Sequence, residues 1–269
     1  MALPLAFEPK IEATFVRIGR DNDGGYLVDK KSIAQTDCLV SFGLSTDCSF
    51  EHKFKKIKDI PIIAYDHTIN FLLFRNIVRN KFWTIFQKLL KTRHRREAIR
   101  NFLQLLASYK LHKKLFSQNN IIHKQQAIGC TRNNYTDVKA VIEQLHMAFD
   151  SLNKDQKIFF KIDIEGSEYR ILDQLIDIQD RISGLVIEFH DCDLHQQRII
   201  SFIKAFKLPL GHIHGNNYGG ISNDGDPLVL EMTFCSQDNK SLAGPWSGCE
   251  LDQPNDSQQK ELSLIFKKV

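Results

Sequence analysis

Short apolar runs alternate with amphipathic helical patterns along most of this chain, and this alternation restricts the fold more than any other feature of the sequence. The apolar runs cover residues 39–42, 61–65, 158–162 and 185–189, with a weaker one at 121–128. Helical patterns lie between them, at residues 49–58, 138–149, 168–178 and 194–206. Strands that are apolar throughout are covered on both faces, as in a parallel sheet flanked by helices. The sequence therefore predicts an α/β fold built on a mostly parallel sheet.

The end of the chain departs from this alternation. Residues 210–214 and 228–234 are two strand-like runs with no helical pattern between them, and the connection is rich in Gly, Asn and Asp. Such residues form turns, so the connection predicts a change of chain direction. We expect the sheet to end in an antiparallel strand pair. The tail after Gly244 is polar, and we expect it to be loosely held as far as residues 262–266.

Two segments lie outside the repeating pattern. Residues 1–37 contain alternating runs around a turn-rich segment at 21–25, which predicts a hairpin and a lead-in to the main domain at 38–269. A helical insertion of two long helices is predicted at about residues 70–120. It has twelve Lys and Arg residues, and Glu97 is its only acid. Its aromatic residues recur at helical spacing, which is more typical of a packed core than of a surface that stacks on bases.

Composition indicates the cellular compartment in which the protein is expected. The net charge is only +4, so the molecule as a whole is not a polycation. No apolar run is long enough to span a bilayer, and residues 1–7 lack the regions of a signal peptide. The six cysteines show no CxxC spacing, which favours reduced thiols over zinc ligands or disulfides. These features predict a cytoplasmic protein, with peripheral contact to a membrane surface or another anionic ligand through the basic insertion.

A glycine and several acids follow successive strands of the predicted sheet. Gly43 ends the first strand, Asp66 the second, and Asp163 and Glu165 the fourth. Ligands of open α/β sheets bind at these strand ends, where glycine admits a close approach and a carboxylate can accept hydrogen bonds from a ribose. Singly, such a glycine is a common turn and such an aspartate a common helix cap. Their recurrence predicts a nucleotide-like cofactor site, and the absence of a GxGxxG motif disfavours a dinucleotide. The residues expected to line it are Phe42, Gly43, Ser45, Thr46, Asp47, Asp66, His67, Ile128, Asp163 and Glu165.

One family resemblance runs through residues 41–51, 64–68, 161–169, 187–190, 212–217 and 230–234, of which 161–169 is the most specific segment. These segments resemble the FkbM-type family of S-adenosylmethionine-dependent methyltransferases, over most of residues 38–235 apart from the basic insertion. Ser45 and Thr46 stand where many methyltransferases have further glycines. The resemblance implies a class I methyltransferase fold, which is Rossmann-like with a terminal antiparallel pair, and S-adenosyl-L-methionine as cofactor. It also implies methyl transfer to oxygen, commonly on a hydroxyl of a sugar, glycan or natural product.

Methyl transfer to a hydroxyl requires an aligned acceptor and help in removing its proton. We predict His190, His214 and Asp163 as catalytic residues, because they follow or end neighbouring strands and a neutral imidazole can take the proton directly. Carboxylate and imidazole groups could also bind a divalent metal such as Mg, Mn or zinc, with Asp163, Glu188 and His190 as ligands. The same side chains could instead be hydrogen-bonded parts of the scaffold.

Other functions are also compatible with the sequence. The basic insertion fits an RNA-binding protein or an RNA methyltransferase, although its charge is local and the chain lacks the Asn-Pro-Pro-aromatic string of many nucleic-acid base methyltransferases. Nucleic acid is therefore the less favoured partner. The fold can also serve a non-catalytic binding module. The favoured function is an O-methyltransferase that acts on a small-molecule or glycan acceptor.

Overall fold

The structure of the chain is a computed structural model. It describes residues 2–89, 95–129, 134–149, 152–153 and 155–267, without the side chains of residues 2, 83–89 and 95–97. Three residues counted in the sequence predictions, Lys91, Arg93 and Cys130, lie outside the described residues. The described cysteines are free thiols. None of the described helices is long and apolar enough to cross a membrane.

The elements follow the alternation expected from the sequence. The strands are β1 (Ala2–Pro4), β2 (Ile11–Glu12), β3 (Phe15–Gly19), β4 (Gly25–Asp29), β5 (Cys38–Phe42), β6 (Ile62–Tyr65), β7 (Ile121–Lys124), β8 (Ala127–Ile128), β9 (Tyr135–Thr136), β10 (Ile158–Ile162), β11 (Ile182–Phe189), β12 (Leu210–Gly215), β13 (Leu230–Phe234), β14 (Lys240–Ser241) and β15 (Ile265–Lys267). The α-helices are α1 (Lys30–Gln35), α2 (Ser49–Ile57), α3 (Phe71–Leu89), α4 (Arg95–Leu115), α5 (Val138–Ala148), α6 (Leu172–Asp177) and α7 (Cys192–Ala205). Short 3₁₀ helices occupy Leu5–Phe7, Glu168–Arg170 and Gln179–Arg181.

Seven strands form the central sheet, in the order β12-β13-β11-β10-β5-β6-β7. Neighbours from β11 to β7 are parallel, whereas β13 is antiparallel to both β11 and β12. The sheet is therefore mostly parallel with an antiparallel pair at one edge, which confirms both predictions. The chain builds outward from β5 to β7 and then returns to add β10 and β11 on the other side of β5. The reversal of strand order lies between β5 and β10.

Each face of the sheet is covered by a hydrophobic core, because successive strand residues point to opposite faces. On one face, Val40 and Phe160 belong to a cluster that includes residues of α5, α6 and α7. On the other face, Leu39 and Phe159 belong to a cluster that includes residues of the β3–β4 hairpin, α2, α3 and α4. The two layers explain why the central strands are predominantly apolar.

The two long helices at residues 70–120 are α3 and α4, which pack against each other as an antiparallel pair. Phe74 is fully buried at their base, and Phe71 stacks on Tyr109 with ring centroids 5.6 Å apart. Farther along, Phe82 contacts Phe102 at 5.8 Å. Part of the aromatic content of the insertion therefore holds the two helices together, as its helical spacing predicted.

The continuous helix predicted over residues 168–178 is wrong. A 3₁₀ turn at Glu168–Arg170 precedes α6 instead. The carboxylate of Glu168 accepts the backbone N–H groups of Ile164 (3.2 Å) and Gly166 (3.3 Å) in the preceding loop.

The prediction of a loosely held tail is also wrong. The amide of Asn217 donates to the backbone oxygen of Asp256 (3.0 Å), and the ring of His212 lies 2.8 Å from the carboxylate of Asp252. Strand β15 pairs with β1. The polar residues of the tail therefore include groups that form hydrogen bonds with the domain.

Candidate active site

A glycine marks the point where the strand order reverses. The N–H of Gly43, after β5, donates to the carbonyl of Tyr65 (2.9 Å), and the N–H of Asp163, after β10, donates to the carbonyl of Phe42 (3.0 Å). Gly43 has a φ of +83°, and a Cβ built on it would lie 1.7 Å from the backbone oxygen of Asp163. Both the conformation and the contact exclude a side chain. Ligands of open α/β sheets bind in the crevice at such a reversal.

Left-handed backbone conformations cluster at the same edge of the sheet. Three of the five described non-glycine residues with positive φ follow β5, β10 and β11: Ser45 (49°), Glu165 (53°) and Asp191 (50°). Such conformations cost about 1–3 kcal/mol each, persist where the surrounding structure enforces them, and cluster at active and ligand-binding sites. The backbone strain therefore coincides with the predicted site.

Two adjacent cavities open at this edge. The cavity that we call the β6 cavity, of about 440 Å³, is lined by residues that follow β5, β6 and β10 and by β8. The other, the β11 cavity, of about 350 Å³, is lined by residues that follow β5, β10 and β11 and by the β3–β4 hairpin. Leu44, Ser45, Asp163 and Glu165 line both. Ligands in the two cavities would therefore meet at these four residues.

The structure brings most of the predicted cofactor residues together. The β6 cavity is lined by Gly43, Ser45, Asp66, His67, Ile128, Asp163 and Glu165. Thr46 and Asp47 line the β11 cavity instead. Phe42 is fully buried and lines neither of the two, because its ring packs between Tyr65 and Phe160.

Asp66, the acid predicted to bind a ribose, is already hydrogen-bonded within the protein. Its Oδ2 accepts the backbone N–H groups of Leu44 (2.8 Å) and Ser45 (2.6 Å), and its Oδ1 accepts the N–H and the hydroxyl of Thr68, both at 2.6 Å. Burial opposes the charge, but these bonds outweigh burial and lower the pKa of Asp66. A carboxylate has about four acceptor positions, so a ribose would have to replace one of these donors.

The β11 cavity holds a network of buried polar groups. The hydroxyl of Tyr26 lies 2.8 Å from Oε2 of Glu188 and 3.1 Å from Oδ2 of Asp163, and the amide of Asn216 donates to Oε1 of Glu188 (3.0 Å). Burial, followed by the neighbouring charge of Asp163, raises the pKa of Glu188 well above its ordinary value. A protonated Glu188 also suits the geometry, because the single hydroxyl proton of Tyr26 can serve only one of its two partners.

The buried ammonium group of Lys161 contacts the residues that follow β5 and β10. Lys161 is 5% exposed; it donates to the carbonyl of Gly43 (2.6 Å) and lies 3.2 Å from Oδ2 of Asp163. Glu51 of α2 is also buried, and its Oε1 accepts the hydroxyl proton of Ser41 at 2.5 Å. Burial raises the pKa of Glu51, and the charge of Lys161 counteracts that shift. Lys161 is thus the cation that compensates two acids beside the cavities.

His190 lies at the β11 cavity among three glutamates. Its Nδ1 is 2.9 Å from Glu168, and its Nε2 is 3.4 Å from Glu165 and 3.8 Å from Glu188. Burial lowers the pKa of His190, but the hydrogen bond to Glu168 and the other carboxylates outweigh burial and raise the pKa to about 9. The imidazole therefore carries a proton at neutral pH, and the neutral base expected from the sequence predominates only above that pKa.

The structure does not bring His214 to the same place as His190. Nδ1 of His214 lies 3.3 Å from Glu231 on β13, and Nε2 lies 2.8 Å from Glu261 of the tail. His214 lines a separate cavity together with Trp246. Burial lowers its pKa, but the two glutamates raise it to about 10. These contacts support a role in holding the tail rather than in proton transfer to an acceptor.

The predicted metal ligands are only partly assembled. Asp163, Glu165 and His190 each offer one ligand atom within 4.8 Å of the others, with Glu165 in the place predicted for Glu188. Glu188 is occupied by Tyr26, and its raised pKa makes it a poor ligand because metals bind the deprotonated form. Acids near the surface commonly cluster without an ion, so the cluster alone does not support a metal. Metal binding stays a prediction.

Several residues of the site were missed by the sequence predictions, and two of them, Lys161 and Glu51, leave a signal in the sequence. Lys161 is a charged residue inside an otherwise apolar strand, and Glu51 is an acid between the buried Phe50 and Phe54 of an amphipathic helix. Either pattern indicates a buried charge that needs a partner. Tyr26 leaves no such signal, because a tyrosine is an ordinary strand residue.

Comparison with known proteins adds little to this geometry. No protein-family model matches the chain, and no curated protein matches it. One solved structure that matches is a mutant of the 16S rRNA (adenine(1408)-N(1))-methyltransferase from Catenulisporales acidiphilia. It is 9% identical, and the match covers 84% of this chain and 100% of that chain with a TM-score of 0.32. So distant a likeness carries no argument about the fold or function of this chain.

Proposed function

We propose that the protein is an S-adenosylmethionine-dependent O-methyltransferase that acts on a hydroxyl of a sugar, glycan or other small polyhydroxyl compound. The supporting observation is the pair of cavities that meet at Asp163 and Glu165, beside the reversal of strand order. A methyl donor in one cavity and an acceptor in the other would come into contact there.

The sheet topology supports this proposal. Counted along the chain, β7, β6, β5, β10 and β11 are the third, second, first, fourth and fifth strands of the sheet, which is the order of a doubly wound dinucleotide-binding fold. Such a fold adds a sixth parallel strand next, whereas here antiparallel β13 lies between β11 and β12. Five parallel strands with a terminal antiparallel pair are the layout that the resemblance to class I methyltransferases implies.

The β6 cavity suits the cofactor. Its volume of about 440 Å³ falls in the usual range for small-molecule sites, and Gly43 leaves the backbone accessible beside it. Asp163 and Glu165 place carboxyl groups at the junction, where negative charge would stabilise a positively charged sulfonium. When bound there, S-adenosylmethionine would supply a methyl group that is already activated for transfer.

The β11 cavity suits a hydroxyl-bearing acceptor. It presents the hydroxyl of Tyr26, the amide of Asn216 and the carboxyl groups of Asp163 and Glu165, all of which can hydrogen-bond to hydroxyl groups. Asp163 lines both cavities, so it can hold the reacting hydroxyl at the junction. His190 lies in the same cavity and, in its neutral form, can take the proton that the hydroxyl loses.

Replacing Asp66 with alanine should weaken the binding of S-adenosylmethionine by about 1–3 kcal/mol, the usual range for hydrogen bonds of a charged group. Titration calorimetry with S-adenosylmethionine and S-adenosylhomocysteine measures this change. Tyr218→Ala is the matched control, because this exposed side chain lines only the β11 cavity. The control should bind both compounds as the wild type does.

A second variant distinguishes contact between Asp66 and the cofactor from support of the neighbouring loop by Asp66. Thr68→Val removes one internal donor from Asp66 but keeps the carboxylate. Direct contact predicts a smaller loss for Thr68→Val than for Asp66→Ala. Equal losses would indicate that Asp66 acts through its hydrogen bond with Thr68 rather than by contact with the cofactor. A wild-type protein that binds neither compound would overturn the cofactor assignment.

Methylation of RNA is the second candidate, and the basic α3–α4 pair is the observation that favours it. None of the described residues of α3 or α4 lines the β6 or the β11 cavity. Transfer of labelled methyl groups to polyhydroxyl compounds and to structured RNA, measured side by side, discriminates the two. Labelling of RNA alone would replace the O-methyltransferase proposal with this one.

A further inference from the structure

Exposed apolar side chains concentrate on one part of this protein. Of the fifteen large apolar side chains that are exposed in the described part of the chain, seven belong to α3 and α4. They are Phe71, Leu72, Leu73, Ile77, Phe82, Ile99 and Leu103. Single exposed apolar residues are normal, but such a concentration indicates an interaction surface.

The same helices carry a dense positive charge. Their described cationic side chains are exposed, and these are Arg75, Arg79, Lys81, Arg100, Lys110, Lys113 and Lys114. Ile99 and Leu103 are four residues apart on α4, and Lys110 and Lys114 continue the same helix face. The segment has a single acid, Glu97, so the rest of the chain is net acidic although the whole protein is slightly basic. The net excess of positive charge thus lies on the same two helices as the exposed apolar side chains.

We propose that this surface, formed by the exposed residues of α3 and α4 named above, docks the protein on anionic lipid bilayers. Apolar side chains would enter the boundary between headgroups and acyl chains while Lys and Arg bind the lipid headgroups. The chemistry favours a bilayer over RNA, since phosphate backbones bind cations but leave leucine and isoleucine exposed. It also disfavours a second copy of the chain, since two such basic surfaces repel each other.

This inference is independent of methyl transfer. The docking surface lies outside both cavities, so binding to vesicles can be present or absent whatever the catalytic activity is. The surface would act by contact, because no described helix is long and apolar enough to cross the membrane.

Sedimentation of the full chain with vesicles tests the proposal. We expect binding to vesicles of phosphatidylcholine with phosphatidylserine and little binding to phosphatidylcholine alone. Arg75→Glu/Lys110→Glu should reduce binding at least about tenfold, because each basic residue near an anionic surface contributes roughly a fivefold factor. Leu72→Gln/Leu103→Gln should reduce it as well, because the polar side chains no longer favour the interface.

Matched variants elsewhere on the protein serve as controls. Lys139→Glu/Lys204→Glu reverses two exposed charges on α5 and α7, and Met147→Gln/Leu194→Gln replaces two side chains that are 75% and 76% exposed. Leu72 and Leu103 are 57% and 58% exposed, so none of these changes opens a core. Both controls should bind vesicles as the wild type does, and all four variants should keep its unfolding midpoint.

Several results would overturn the proposal. The first is absence of binding to phosphatidylserine vesicles by the wild type. The second is a leucine variant that binds as well as the wild type, which would reduce the interaction to adsorption of a polycation. Binding of RNA by the wild type without vesicle binding would assign the surface to nucleic acid. A concentration-dependent dimer in sedimentation velocity that Leu72→Gln/Leu103→Gln abolishes would assign it to self-association.

Discussion

Replacing His190 with alanine should lower turnover by about 10²- to 10⁴-fold, the usual contribution of a positioned proton-transfer group. His190 lines the β11 cavity and not the β6 cavity, so the binding of S-adenosylmethionine should be unchanged. The measurements are initial rates of methyl transfer at saturating acceptor and calorimetry with the cofactor. Equal turnover in the variant and the wild type would exclude His190 from the reaction.

The dependence of turnover on pH follows from the raised pKa of this histidine. Only the neutral imidazole can accept a proton, and the pKa of His190 is about 9. Turnover should therefore rise with pH up to that value and then level off, and the rise should disappear in His190→Ala. A metal ion on Asp163, Glu165 and His190 would give a different result. Chelation would then abolish turnover, and a divalent ion such as Mg or Mn would restore it.

His214 provides the contrast for this experiment. It pairs with Glu231 and Glu261 at a separate cavity, so His214→Gln should lower the unfolding temperature and leave turnover of the folded enzyme unchanged. If turnover of this variant fell as far as in His190→Ala, proton transfer would not be confined to the β11 cavity. The earlier expectation that both histidines serve the acceptor would then regain support.

Much of the fold could be predicted because strands that are buried on both faces have a recognisable apolar sequence. A strand such as β6 is buried on both faces, so its residues must be apolar, and only a sheet between two layers provides that environment. Residues 168–178 could not be predicted in the same way, because their helical pattern does not reveal that Glu168 has partners outside the segment. The carboxylate of Glu168 bonds to backbone N–H groups and to His190, which lies twenty-two positions farther along the chain.

The site residues that follow strands could be predicted from the sequence. The contacts that depend on residues distant in the chain could not. Gly43, Asp66 and Asp163 follow strands, and their approximate positions are determined once the sheet is known. His190 and His214 are separated because β13 lies between β11 and β12, and His214 also pairs with Glu261 of the tail. No local pattern indicates that pairing, and the tail's polarity suggested a solvated segment.

Replacing Lys161 with methionine should lower the free energy of unfolding by about 3–5 kcal/mol, the usual cost of removing one partner from a buried ion pair. Methionine fills much of the space of the lysine side chain, so the loss reports mainly on charge. The variant leaves Glu51 and Asp163 without their shared cation. Urea denaturation followed by circular dichroism measures the change. Lys139→Met, at an exposed position on α5, should stay within about 0.5 kcal/mol of the wild type.

Glu51 determines how the loss of unfolding free energy in Lys161→Met varies with pH. It also determines how that loss responds to a second substitution. Lys161 counteracts the burial that raises the pKa of Glu51, so the pKa rises further in Lys161→Met. A folded-state pKa above the unfolded value costs stability as pH rises through that interval, so the deficit should be smaller at acid pH than at neutral pH. Lys161→Met/Glu51→Gln should recover at least about 1 kcal/mol at neutral pH, because the amide carries no charge and the two positions are coupled. A double variant no more stable than Lys161→Met at neutral pH would show that Glu51 is not the acid that Lys161 compensates.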